Sequence, residues 1–130
     1  LRDNVNDGFH LLNIGGTSIT TLEVTNNLAY GNGDDGFDIA ADAGSTVGGL
    51  IDGNSTVPPI GGNQNGDDGL ALSSIGGTLA FNVAPDQQIS NNNFSNNQGD
   101  GVLVDATLGG NADVLFIGNT IANNSNAGIN

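Results

Sequence analysis

The chain lacks cysteine, methionine, tryptophan and lysine, and Arg2 is its only basic side chain among 130 residues. Without cysteine there is no disulfide and no thiolate metal site, and thiol usage says nothing about the redox compartment. Acidic residues number 14 and the formal net charge is −13. The groups that neutralise phosphates are therefore missing, which excludes nucleic acid as a partner. Anionic membrane surfaces are excluded on the same ground. No apolar run approaches the ~18 residues of a membrane span, so no membrane insertion is expected, and no secretory signal pattern is visible. With Leu1 first and no methionine anywhere, the chain reads as a processed or excised segment.

Few aromatics and many acids could describe a disordered chain. The 36% of residues that are hydrophobic argue otherwise, because they recur in register. Aligned on glycine followed by a large apolar residue, Gly8-Phe9, Gly36-Phe37, Gly69-Leu70, Gly101-Val102 and Gly128-Ile129 mark successive repeats. Asp7, Asp35, Asp68 and Asp100 precede the first four glycines, and Ala127 precedes the fifth. A second marker is a Gly-Gly pair after a bulky aliphatic residue, at Gly15-Gly16, Gly48-Gly49, Gly76-Gly77 and Gly109-Gly110. A third is asparagine after a short apolar strand, at Asn26-Asn27, Asn54, Asn91-Asn92 and Asn119.

Between these markers the apolar residues alternate, as in Phe9-His10-Leu11, Phe37-Asp38-Ile39, Leu70-Ala71-Leu72 and Val102-Leu103-Val104. Period two means strands with one buried face, and the glycine density penalises any helix. Stacking like strand on like strand buries each apolar row against the next. The pattern predicts an all-β, right-handed parallel β-helix of about four coils, without a capping helix, forming one domain over residues 1–130. The Asn marker predicts a side-chain amide ladder. Ser55 to Gly62, with Pro58-Pro59, and Thr78 to Gln88, with Pro85, read as loops, since proline cannot donate to a ladder.

Two stretches carry a family resemblance. Asn91-Asn92-Asn93-Phe94-Ser95-Asn96-Asn97-Gln98-Gly99-Asp100-Gly101-Val102 and Asn119-Thr120-Ile121-Ala122-Asn123-Asn124-Ser125-Asn126-Ala127-Gly128-Ile129 resemble the parallel β-helix repeat family, which includes pectate-lyase-like and NosD-like proteins. The resemblance implies the fold. For activity it spans polysaccharide lyases, glycosidases, epimerases, adhesins and structural spacers, because fold does not imply function.

No complete catalytic set is visible, so the chain is read as leaning away from an enzyme. Lyases of the resembling family use a basic side chain, and only Arg2 is on offer. Its glycosidases use aspartates with a neighbouring His and an Arg/Lys pair; here Gly-His-Gly and Arg-x-Lys are both missing. Asp38 and Asp105 are expected to share a strand row two coils apart, at a separation hydrolysis could use. His10 is expected to point outward, with Asp38 one coil on as its only acid partner. The aspartates at the Asp-Gly turn stack in one column, with Asp34 and Asp67 beside it. Like charges at the ~4.8 Å coil spacing repel by roughly 1 kcal/mol even in water. Either each Asp caps its own turn through an Asx-type bond, or Ca²⁺ is held by Asp34, Asp35, Asp67, Asp68 and Asp100. The turn Gly31-Asn32-Gly33-Asp34-Asp35-Gly36-Phe37 is similar to half of an RTX calcium repeat, but that family repeats every nine residues and this turn returns once per coil.

Residues 1–10 and 121–130 occupy the same part of the coil. That phase fits an excised piece of a longer β-helix, or a subunit stacking end to end through exposed strand edges. The functional expectation is a non-catalytic structural or adhesive solenoid, secreted or on the cell surface, self-associating and fibrous. The alternatives are a carbohydrate-binding or polysaccharide-degrading fragment that takes glycans as partners, and a calcium-stabilised repeat module.

Overall fold

The computed structural model describes residues 1–83 and 85–130. All elements are strands: β1 (Phe9–Asn13), β2 (Ser18–Thr25), β3 (Phe37–Asp42), β4 (Thr46–Asp52), β5 (Leu70–Ile75), β6 (Thr78–Phe81), β7 (Gln88–Ser90), β8 (Val102–Thr107), β9 (Asn111–Val114) and β10 (Phe116–Ile117). One parallel sheet has the order β1-β3-β5-β8. The other joins β2 to β4, β4 to both β6 and β7, β6 to β9, and β7 to β10. A third, narrow face is made by the parallel bridges Leu28 to Ser55, Ser55 to Asn93 and Asn93 to Thr120. The chain is thus a parallel β-solenoid of about three turns, where counting markers gives about four coils. Four strands stack on the first face, making three steps. The last return is made by the short β9 and β10 and by isolated bridges, such as Val102 to Ile129.

Register follows the alternation. Phe9, Phe37, Leu70 and Val102 form one inward row, and Leu11, Ile39, Leu72 and Val104 the next. These rows meet Val47, Ile51, Leu79, Phe81, Ile89 and Phe94 from the other faces. Phe37 lies edge-on to Phe94 at 6.3 Å between ring centroids. Each fully buried side chain of this kind contributes roughly 1.5–3 kcal/mol.

Three expectations change. The Gly-Gly marker is not in constant phase. Gly15-Gly16 turns at φ of 75° and 71°, and its counterpart in the next coil is Ala43-Gly44 at 47° and 77°. Gly48-Gly49 instead lies inside β4. There the β2 to β4 register shifts between Ile19 and Leu22, and a Cβ on Gly49 would collide with the Leu22 carbonyl. Glycine accommodates the bulge where its neighbour crowds the backbone. Next, Thr78 to Gln88 is not all loop: β6 and β7 bracket a shorter excursion over 82–87, closed by the antiparallel bridge Val83 to Gln87. Buried Leu79 and Phe81 make β6 part of the core; at Ala84 the loop reading lies outside the described residues. Last, Asp105 pairs with Ser73, and Ser73 with Ala40, whereas Asp38 lines up with Ala71 and Leu103. The two acids are two residues out of step along the strand.

Candidate functional site

Polar side chains form three columns through the stack. In the first, each Asn Nδ2 donates to the next Oδ1 from Asn27 to Asn54 to Asn92 to Asn119, at 3.1, 3.0 and 2.9 Å. This is the ladder expected from the Asn marker. A second ladder runs Asn4, Asn32, Asn65, Asn97 and Asn124, at 2.9, 2.9, 3.0 and 2.9 Å. It was missed, although every one of its members sits four residues before a Gly marker. Both are buried at their centres: Asn65 and Asn97 are wholly covered. Backbone amides join in: the N–H of Asn32 donates to Asn65 Oδ1 at 3.2 Å, and that of Asn97 to Asn124 Oδ1 at 2.9 Å.

The third column is the aspartates. Asp7 Oδ1 accepts the N–H of Asp35 at 3.2 Å, Asp35 Oδ1 that of Asp68 at 2.8 Å, Asp68 Oδ1 that of Asp100 at 2.6 Å, and Asp100 Oδ1 that of Ala127 at 2.7 Å. Each carboxylate therefore caps the turn of the following coil, not its own turn as expected. Unlike the amides, ionised carboxylates cannot bond one another, because they only accept, so the column draws its donors from the backbone of the next coil. Burial raises the Asp35 carboxyl to about 7 and the Asp68 carboxyl to about 6, with the flanking acids adding to both. Burial and the charges of Asp7 and Asp67 also raise Asp34.

The five residues proposed for calcium do not converge as a set. Asp34 and Asp67 are exposed, Asp35 is half-buried, and Asp68 and Asp100 are buried. Among the described residues the acids that meet are Asp7, Asp34 and Asp35, with ligand atoms within 4.8 Å. The other meeting group is Asp7, His10 and Asp38. His10 Nδ1 lies 2.7 Å from Asp38 Oδ2 and 3.4 Å from Asp7 Oδ2, with the imidazole outward as expected. Asp38 is raised by burial, against the lowering hydrogen bond and charge of His10. Arg2 sits beside Asp3, at 4.0 Å. No concave pocket is present among the described residues.

Comparison with protein-family models, curated proteins and solved structures finds no match to this chain.

Proposed function

We propose that the chain is a non-catalytic structural or adhesive β-solenoid of the parallel β-helix repeat family, working outside the cell as a secreted or surface-borne element. One observation carries this reading. The four acids of the Asp-Gly column, Asp7, Asp35, Asp68 and Asp100, each accept the next coil's backbone N–H, so they hold the stack together. The outward row that carries His10 and Asp38 continues as Ala71 and Leu103, with no further acid or base. Self-association by parallel strand addition belongs to the same reading, since unpaired strand edges template pairing with like strands. The test is a panel of uronate polymers and immobilised glycans, with electron microscopy of the same material. The expected result is no turnover, no saturable binding of soluble oligosaccharide, and rods or fibres. Turnover abolished by Asp38→Asn would overturn it.

A second reading, a calcium-stabilised module, is favoured by the convergence of Asp7, Asp34 and Asp35. It predicts a higher melting temperature with Ca²⁺ than with chelator, and loss of that difference in Asp34→Asn. Identical melting in both buffers eliminates it.

A further inference from the structure

His10 is the chain's only histidine. Strand register sets it directly beside Asp38 of the next coil. Asp7 approaches from the turn three residues earlier. Its Oδ1 is occupied by the Asp35 N–H at 3.2 Å, and its Oδ2 faces His10 Nδ1 at 3.4 Å. Two carboxylate oxygens from two coils thus face one ring nitrogen, while Nδ1 carries at most one proton. Asp34, whose carboxylate also meets Asp7, adds further negative charge. Even a protonated imidazole leaves Asp7, Asp34 and Asp38 in excess.

We propose that Asp7, His10 and Asp38 form a surface site for one divalent transition-metal ion of the zinc class. The donor set is one imidazole nitrogen and two carboxylate oxygens, which suits borderline cations; calcium and magnesium take oxygen ligands. Metal bonds of ~2.0–2.2 Å place tetrahedral ligands roughly 3.3–3.6 Å apart. The spacing of Asp7 and His10 already matches, and the Asp38 carboxylate reaches it by moving outward less than ~1 Å. The His10 side chain is 52% exposed, so the fourth position opens to water or to an outside ligand. The ion clamps the first coil to the second, because Asp7 and His10 come from one and Asp38 from the other. The outward row changes to Ala71 and Leu103 in the following coils, so the site occurs once.

The test is calorimetric titration of zinc chloride into the untagged, chelator-treated full chain, with and without excess calcium chloride. It is repeated on His10→Ala, an exposed position whose loss leaves the core intact; circular dichroism checks the fold. The expected result is one saturable zinc per chain, unaffected by calcium, with the His10 ring resonances shifting at one equivalent. His10→Ala should weaken binding at least as much as the ~10–100-fold cost of losing an outer-shell partner. No saturable zinc binding, equal affinity in folded His10→Ala, or displacement of zinc by calcium would each overturn the proposal.

Discussion

The two kinds of polar column in this solenoid do the same job with opposite chemistry. In the longer asparagine ladder, Asn65 Oδ1 accepts from Asn32, and Asn65 Nδ2 donates both to Asn97 Oδ1 at 3.0 Å and to the Ala29 carbonyl at 3.1 Å. Each interior asparagine is both donor and acceptor, so the ladder extends without charge. In the aspartate column each side chain only accepts, and the hydrogen comes from the next coil's backbone. The bonds are charge-assisted and strong, but like charges accumulate at the coil repeat. The raised carboxyls of Asp35 and Asp68 reflect that conflict, on top of burial. Neutral columns tolerate full burial; the charged one is stabilised by taking up protons.

The largest break in this comparison is Asn65→Ala. It leaves the Asn32 amide groups, Asn97 Oδ1 and the Ala29 carbonyl without partners. At roughly 1–3 kcal/mol per buried unsatisfied group, the loss should exceed ~3 kcal/mol by chemical denaturation. Asp68→Ala comes next. It strands the N–H of buried Asp100 but also removes a repelling charge, so a net cost of about 1 kcal/mol is expected by the same measurement. The smallest effect belongs to Ile60→Ser, in the loop after Pro58-Pro59. Ile60 is fully exposed and touches no column, so the change should stay within about 0.5 kcal/mol.

The columns also set the direction of the pH response. The carboxyls of Asp35 and Asp68 lie above their ordinary 3.8, at about 7 and about 6. Between those values the folded chain binds more protons than the unfolded one, so stability falls as pH rises. The loss begins near the unfolded value and is complete above the folded ones. Asp52 works the other way. Hydrogen bonds from Ser90 and Asn91 lower its carboxyl, and the stability it contributes is lost as pH falls through that lowered value.

Much of the fold was legible because the Asp-Gly and Asn markers sit at positions where the coil repeats its geometry. Steps of 28 and 27 residues separate ladder partners in the plain coils. In the longer ladder the 33- and 32-residue steps absorb one excursion each, and the 38-residue step of the other ladder spans both. The Gly-Gly marker misled because glycine answers two different needs here, a left-handed turn at Gly15-Gly16 and a crowded bulge at Gly49. Asp38 and Asp105 were placed in one row because a two-residue slip keeps a side chain on the same face; alternation alone cannot separate the two rows. The grouping of Asp7 with His10 and Asp38 was half legible. The His10 to Asp38 pair follows from coil register, but Asp7 joins from a turn whose direction no periodicity encodes. The direction of the aspartate bonds, forward to the next coil, was likewise invisible without the backbone path.

An acidic column thus sits beside neutral ladders and is stabilised by protonation. Thermal unfolding at about pH 5 and about pH 8, with chelator present, tests it most directly, using the native chain, Asp68→Asn and the exposed control Asp105→Asn. Asp68→Asn keeps the acceptor for the Asp100 N–H and removes the charge. The native chain should melt higher at the lower pH, Asp68→Asn should narrow the gap, and Asp105→Asn should leave it unchanged. A native chain that melts higher at the upper pH, or equal narrowing by both substitutions, would contradict it.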